Sequence, residues 1–267
     1  MTQKHPGAYY DAKEHLKNQR KNNPKVFWTW AVLRFFVLQA MVISILRGQY
    51  ENTFTCVLVL LLFLSPSLVE KRFRIRLPDG LQIAILVFIF AAEILGELAC
   101  YYVRYSHWDT LLHTTWGFLC AAFGYSLVDL LNDNPEGSIR LSPLYMALAA
   151  FCFSMTIGVL WEFFEFSMDR LLFLDMQKDT IITTISSVAL DPTNSNTPVV
   201  IRNIGETVVN GTILTKSGYL DIGLYDTMED LFVNFIGALV FSVIGYFRGK
   251  RKLADKITES LVPTRIK

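Results

Sequence analysis

Six stretches of this chain are apolar for long enough to cross a lipid bilayer as helices. A membrane-spanning helix needs about 20 mostly apolar residues, and the chain provides such stretches at 27–47, 53–69, 81–103, 110–131, 143–165 and 228–247. The composition agrees, since 52% of the residues are hydrophobic and only 18% are charged, which is too apolar for an ordinary soluble domain. The sequence therefore predicts an all-α integral membrane bundle of about six transmembrane helices.

Basic residues are distributed unevenly between the predicted loops. Lysines and arginines are concentrated in the N-terminal arm 1–26, in the loop 71–76 after the second span, and in the C-terminal tail 248–267. Because cytoplasmic loops carry an excess of these residues, the pattern predicts a multi-pass protein of the cell membrane with both termini in the cytoplasm. The connection 132–140 is then also cytoplasmic, although it carries only one arginine, and the segment 170–225 lies outside.

The segment 170–225 has the pattern of short strands. Runs rich in β-branched residues recur at 180–185, 198–204 and 207–214. Asn210-Gly211, in the middle of the third run, is a typical hairpin turn. We therefore expect this extracytoplasmic insert to form a small β-hairpin cap over the outer face of the bundle.

Polar and ionisable residues recur in or beside four of the spans. They are Glu93 and Glu97; Trp108, Asp109 and His113; Trp161, Glu162, Glu165 and Asp169; and Asp226, Asp230 and Asn234. The predicted topology places all four groups in the outward-facing leaflet, and spacings of three or four residues place each group on one helix face. Because such residues are costly inside a bilayer, their occurrence at one depth predicts a shared polar pocket.

Several kinds of chemistry fit this pocket. Carboxylates four residues apart repel each other when both are ionised, so a divalent metal, protonated His113, an arginine such as Arg104 or Arg170, or bound protons must compensate. Carboxylates with a histidine on facing helices are typical of divalent sites. The candidate metal ligands are His113, Glu162, Glu165, Asp226 and Asp230. The candidate acid–base residues are Asp109, His113 and Glu162, and the binding candidates are Glu93, Glu97, Trp108, Trp161, Asp169 and Asn234.

Each of these features taken singly also has a structural interpretation. Asp109 and Asp226 lie where a helix begins, a position that favours acids as caps and through the helix dipole. His113 fits a polar contact inside the protein, and Trp108 and Trp161 fit an aromatic belt at the membrane interface. The conjunction of the four groups, more than any one residue, therefore indicates a site.

Four segments also carry a resemblance to a known family. They are Trp108-Asp-Thr-Leu-Leu-His113, Trp161-Glu-Phe-Phe-Glu165, Met176-Gln177 and Asp226-Thr-Met-Glu-Asp-Leu-Phe-Val-Asn-Phe-Ile-Gly237. With these, residues 75–250 resemble the uncharacterised bacterial YjdF-type multi-spanning membrane proteins. More distantly, the chain is similar to the VanZ-like family, although its insert 170–225 is larger. That resemblance implies a site formed by Asp109 and His113, Glu165 or Glu162 with Gln177, and Asp230, Asn234 and Gly237, in a protein of the bacterial envelope.

Three functions are consistent with these patterns. The first is an enzyme or binding protein for an envelope lipid or a cell-wall precursor, with a divalent metal as the candidate cofactor. The second is an ion- or proton-coupled transporter, in which the carboxylates carry protons or cations. The third is an envelope scaffold whose polar residues lock the helices together. The lipid bilayer is the expected partner in each case, and no nucleic acid is expected.

Overall fold

The chain is mainly helical, as predicted. The computed structural model describes residues 23–73, 75–132, 140–251 and 264–265. Within them, six helices are long and apolar enough to cross a membrane: Pro24–Leu46, Tyr50–Arg72, Asp79–Leu98, Trp108–Asn132, Pro143–Leu172 and Leu224–Lys250. Residues 1–22 of the predicted basic arm, most of the predicted tail and most of the connection 132–140 lie outside the described residues.

The helices differ from the predicted spans mainly at their ends. In chain order they are α1 (Pro24–Leu46), α2 (Tyr50–Leu62), α3 (Ser65–Phe73), α4 (Asp79–Ile89), α5 (Tyr101–Arg104), α6 (Trp108–Asn132), α7 (Pro143–Leu172) and α8 (Leu224–Arg251). The second spanning helix, Tyr50–Arg72, is interrupted by a turn at Phe63 and Leu64 between α2 and α3, because Pro66 has no N–H to continue the hydrogen-bond ladder of α2. The fifth span continues beyond residue 165 to Leu172, and the sixth begins at Leu224.

The third predicted span is not a regular α-helix throughout. After α4 the chain continues as a π-helix from Phe90 to Leu98, in which the hydrogen bonds skip one residue more than in an α-helix. The helix then ends at Cys100, which adopts a left-handed conformation with φ of 58°. The predicted span 81–103 therefore stops short of its predicted end, and α5 is a separate turn.

The described chain forms two compact units. The first unit comprises the described residues up to Met155 and from Val233 onward, and the second unit is Thr156–Phe232. The core of the first unit contains three groups of buried apolar residues. One group is Val37, Cys56, Val59, Phe63, Leu86 and Ile94; another is Ile75, Leu77, Leu81 and Leu119; the third is Ala121, Ala122, Tyr125, Met146, Ala150, Ala238 and Phe241. The four alanines of the third group are consistent with close helix packing, which small residues allow in membranes.

The second unit contains most of the short strands. The strands are β1 (Ile75–Arg76), β2 (Ile181–Ile182), β3 (Ile185–Ser187), β4 (Val199–Ile201), β5 (Thr207–Val209), β6 (Thr212–Thr215), β7 (Tyr219–Leu220) and β8 (Thr264–Arg265). In the second unit β2 pairs with β7, β3 with β4, and β5 with β6, all antiparallel. In the first unit β1 pairs with β8.

The predicted hairpin is confirmed at β5 and β6. Val209 pairs with Thr212, and the two residues between them are Asn210 and Gly211, with φ of 51° and 79°. Two consecutive residues with positive φ define the tight turn that matches the natural twist of paired strands, and Asn-Gly is its preferred sequence. The position of this hairpin over the outer face of the protein stays a prediction.

Candidate functional site

The second unit contains three buried carboxylates that lie close together. Glu162 and Glu165 project from α7 at a spacing of three residues, and Asp230 projects from α8. Their exposed fractions are 5%, 7% and 3%. One oxygen atom from each of the three lies within 4.8 Å of the others. We refer to Glu162, Glu165 and Asp230 as the carboxylate cluster.

The geometry of the carboxylate cluster suits a cation. Oxygen ligands bind divalent ions at about 2.0–2.6 Å, so two oxygens that share an ion lie no more than about 5 Å apart. Burial of three carboxylates at this separation is unfavourable when all are ionised, because the charges repel each other and lose their hydration. A bound cation or bound protons would remove this cost, and a divalent cation would use all three oxygens as ligands.

Trp161 orients one member of the cluster. Its indole Nε1 donates a hydrogen bond of 2.8 Å to Glu165 Oε1, while the side chain remains partly exposed. An indole N–H is a donor only, so the bond fixes one carboxylate oxygen as its acceptor. Partners of this kind hold a metal ligand in one orientation. The predicted binding residue Trp161 thus contacts the predicted ligand Glu165.

The remaining acids of the polar groups on α7 and α8, Asp169 and Asp226, bind the backbone of the insert. Asp169, at the end of α7, accepts hydrogen bonds of 2.6 Å and 2.9 Å from the N–H groups of Met176 and Gln177. Asp226, at the start of α8, accepts one of 2.7 Å from the N–H of Lys178. Asp226 therefore does not belong to the carboxylate cluster as described, and its predicted role as a metal ligand stays a prediction.

Gln177 also joins the insert to the start of α8. Its side-chain amide donates a hydrogen bond to Thr227 Oγ1 on the first turn of α8. The Cβ of Gln177 also lies where a side chain on Gly223 would project, at 2.7 Å from the position of an added Cβ. Gly223 has φ of 86°, so its position requires both the small size and the conformational freedom of glycine.

Asp221 is a structural residue that the sequence reasoning missed. It is buried and accepts hydrogen bonds of 2.7 Å from the N–H of Thr180 and 2.8 Å from that of Tyr225. It thereby joins the start of the insert to the start of α8. The signal that could have found it is an aspartate followed two residues later by glycine just before a helix, since aspartate side chains commonly bond to backbone N–H groups there.

Asp109 and His113 lie in the first unit, on the first turns of α6. His113 Nε2 is 3.6 Å from Asp109 Oδ1, and both side chains are partly buried, as expected for residues four apart on a helix. Trp108 packs edge-on against the ring of Tyr101, with 4.9 Å between the ring centres. Within the described chain its indole N–H makes no hydrogen bond. Asp109 and His113 therefore lie on one face of α6, as their spacing predicted, and their role in a site stays a prediction.

Asn234 also belongs to the first unit, where it marks a close approach of two helices. It is buried, and its Nδ2 lies 3.5 Å from the sulfur of Met155. Its backbone carbonyl would be 2.3 Å from a Cβ added at Gly117 of α6. Only glycine at position 117 permits this separation, as in other membrane helix pairs that meet at small residues.

Glu93 and Glu97 lie on the π-helical segment of the first unit. Glu93 is partly buried and Glu97 is exposed. Short π-helical turns are frequent at functional sites, because they change the direction of side chains along a helix. The structure therefore brings together three of the predicted ligands, Glu162, Glu165 and Asp230. Asp109 and His113 lie beside each other in the first unit. That all four polar groups form one pocket stays a prediction.

Six helices that are long and apolar enough to cross a bilayer define a multi-pass integral membrane protein. The chain belongs to the family described as "Predicted membrane protein (DUF2238)", whose model matches residues 28–251. It is also similar to a Thermotoga maritima protein described as an uncharacterized protein, with 26% identity over 135 residues. That match covers 49% of this chain and 66% of the relative, just under two thirds of its length. No solved structure matches the chain.

Proposed function

We propose that the carboxylate cluster binds a divalent cation, and that the bound cation holds the phosphate group of a lipid or lipid-linked cell-wall precursor of the bacterial envelope. The observation that supports this proposal is the set of three buried oxygens, from Glu162, Glu165 and Asp230, within 4.8 Å of one another. An all-oxygen ligand set favours magnesium, calcium or manganese over softer metals. Such ions polarise and orient phosphate oxygens.

Exposed apolar side chains on the same helices support a lipid as the ligand. Phe163 and Phe166 of α7 and Phe232 of α8 are 62%, 51% and 62% exposed. These residues are neighbours in sequence of the carboxylate cluster, so acyl chains beside the second unit would contact them. The guanidinium of Arg170 lies 5.5 Å from the centre of the Phe166 ring. An exposed cation beside an apolar surface is suited to an anionic headgroup.

We propose the envelope setting from the sequence patterns. The basic arm, the 71–76 loop and the basic tail support cytoplasmic termini, which would place the insert 170–225 outside. The resemblance to YjdF-type and VanZ-like proteins supports a role at the bacterial cytoplasmic membrane. Participation of Asp109 and His113 in the same reaction or binding event stays a prediction from the sequence, and it is tested separately by substituting these two residues.

Elemental analysis of purified protein tests the metal. We expect near-stoichiometric divalent metal in the wild-type protein after incubation with magnesium or manganese and removal of excess ion. We expect loss of this metal from the Glu162→Gln and Asp230→Asn variants, because each removes one anionic ligand. Glu229→Gln is the matched control, since Glu229 is an exposed acid next to Asp230 on α8. Wild-type protein without metal after ion is added would refute the cation proposal.

A second measurement tests the lipid ligand. Native mass spectrometry of the metal-loaded protein would detect bound phospholipid after mild detergent exchange. We expect anionic phospholipid to remain bound with the metal and to be lost when a chelator removes it. Retention of metal with no metal-dependent lipid binding would refute the lipid part of the proposal while leaving the cation site intact. Two other results together would favour a scaffold whose polar residues lock the helices together. They are a wild type that binds no metal, and loss of cooperative unfolding in both the Glu162→Gln and the Asp230→Asn variant.

A further inference from the structure

Helix α1 exposes one polar side chain in the middle of an apolar surface. Gln39 is exposed, and the residues around it on the same face are also exposed and apolar. The residues of this surface are Phe35, Leu38, Gln39, Val42 and Ile43, all on α1. We refer to this set as the Gln39 face.

The depth of Gln39 places its amide in the hydrocarbon region. At a rise of about 1.5 Å per residue, Gln39 lies about 22 Å from the start of α1 at Pro24 and about 10 Å from its end at Leu46. The hydrocarbon core is about 30 Å thick, so neither end brings the short glutamine side chain into water. Within the part of the chain that the structure describes, the Gln39 side chain makes no hydrogen bond. An amide that lacks a hydrogen-bond partner in the hydrocarbon region costs several kcal/mol of free energy, at about the level of one lost hydrogen bond or more.

We infer that the Gln39 face is an interface with a second copy of this chain. A glutamine amide is both a donor and an acceptor, so it is complementary to itself. Two copies related by a two-fold axis would place Gln39 opposite Gln39 at the same depth, and the two amides would exchange hydrogen bonds. Glutamine side chains commonly bond across helices in this way in membranes. The exposed apolar side chains around Gln39 would pack against those of the facing helix.

A second copy satisfies the requirements of this face directly. The partner must present a donor and an acceptor at the depth of Gln39, and it must present apolar side chains above and below that depth. A lipid acyl chain meets the second requirement but not the first. A second α1 meets both, because every copy in the same membrane has the same orientation.

Association measured in vesicles tests this inference. Energy transfer between labelled copies is measured as the protein is diluted into phosphatidylcholine vesicles. We expect a dimer for the wild type and about tenfold weaker association for Gln39→Leu, since one such exchange of hydrogen bonds is lost. Gln39→Asn keeps an amide at the same position, and we expect it to retain most of the association. A monomeric wild type, or equal association of Gln39→Leu and wild type, would overturn the inference.

Cysteine cross-linking tests the orientation of the interface. Cys56, Cys100, Cys120 and Cys152 are first replaced with alanine or serine. Ile43 and Ile45 then provide a matched pair, because both are isoleucines near the end of α1 and are 49% and 53% exposed. At about 100° per residue, Ile43 lies about 40° from Gln39 around the helix and Ile45 about 120° away. We expect oxidation to link Ile43→Cys copies and leave Ile45→Cys copies unlinked. The reverse pattern would exclude this face. Neither experiment depends on the carboxylate cluster.

Discussion

The backbone N–H of Lys178 donates a hydrogen bond of 2.7 Å to Asp226, and this bond fixes the first part of the insert to the first turn of α8. Gln177 reinforces it through its side-chain bond to Thr227. On α7, Asp169 holds the same loop through the backbone N–H groups of Met176 and Gln177. The loop thus contacts the two helices that carry the carboxylate cluster, in each case one helical turn from a member of the cluster.

Removing the Asp226 carboxylate should weaken this junction. We expect Asp226→Ala to lower the free energy of unfolding by about 0.5–1 kcal/mol, because the exposed N–H of Lys178 loses a charged acceptor that water replaces in part. Thermal unfolding in detergent measures the change. Glu206→Gln is the control, since Glu206 is an exposed acid of the same insert. Equal unfolding temperatures for Asp226→Ala and Glu206→Gln would show that the bond does not stabilise the second unit.

The indole N–H of Trp161 should affect the proposed cation site without touching the cation. Trp161→Phe keeps an aromatic ring but removes the 2.8 Å hydrogen bond to Glu165. We expect about 10–100-fold weaker binding of manganese, the usual cost of removing a partner that orients a metal ligand. Titration with manganese in competition with a chelator measures the affinity.

Trp116→Phe is the matched control for this variant. Trp116 is also in a spanning helix, and its Nε1 makes no hydrogen bond within the described residues. Its substitution should leave the manganese affinity unchanged. If Trp161→Phe also binds manganese as tightly as the wild type, then the indole does not orient a metal ligand, and Glu165 is held by other contacts.

Local sequence patterns predicted the features that depend on a few neighbouring residues. The apolar runs predicted six spanning helices because a bilayer demands about 20 apolar residues from each one. Asn210-Gly211 predicted the hairpin because both residues tolerate the positive φ that its tight turn requires. The i,i+3 spacing of Glu162 and Glu165 likewise predicted a shared helix face.

Local sequence patterns could not predict the features that depend on residues far apart in the chain. The spacing of Asp226 and Asp230 predicted that both lie on one face of α8. Asp226, however, accepts a hydrogen bond from the backbone of Lys178, whereas Asp230 lies beside Glu162 and Glu165 of α7. The identity of a partner 48 residues away depends on tertiary packing rather than on helix periodicity. The π-helix at Phe90–Leu98 also has no local signal in the sequence, because the same residues fit a regular helix.

Two aspartates of the insert should respond to pH in opposite directions. Partial burial, with the nearby carboxylates of Asp175 and Asp221, raises the pKa of Asp179. The folded state therefore binds this proton more tightly than the unfolded state, and stability is lost as pH rises through the raised pKa. We expect Asp179→Asn to raise the unfolding temperature at neutral pH by about 1–2 °C, the usual limit for a surface residue. The difference should vanish below the ordinary pKa of an aspartate.

Asp191 provides the opposite case. Hydrogen bonds from Thr193 and Ser195 lower its pKa well below the ordinary value. Its contribution to stability is therefore present above the ordinary pKa and is lost as pH falls through the lowered one. We expect Asp191→Ala to lower the unfolding temperature at neutral pH and to have no effect in strong acid. Unfolding temperatures measured from neutral pH to strong acid test both variants, and shifts of the same sign would contradict the assignment.

Gly237 should be intolerant of even one added methyl group. A Cβ at this position of α8 would lie 2.0 Å from the backbone oxygen of Thr114 and 2.9 Å from the backbone nitrogen of Phe118, both in α6. The two backbones must separate to admit it, since no side chain can rotate out of the way. We expect Gly237→Ala to lower the free energy of unfolding by about 1–3 kcal/mol, the typical cost of overpacking. Thermal unfolding in detergent measures this loss.

Gly245 gives the comparison that separates backbone contact from side-chain contact. It lies on the same helix, and a Cβ there would be 2.9 Å from two ring atoms of Tyr125. A ring can shift by a few tenths of an ångström where a backbone carbonyl in a helix cannot, so Gly245→Ala should cost less than Gly237→Ala. If the two variants unfold at the same temperature, α6 and α8 can move apart freely at Gly237. The small size of that residue would then reflect a requirement other than helix packing.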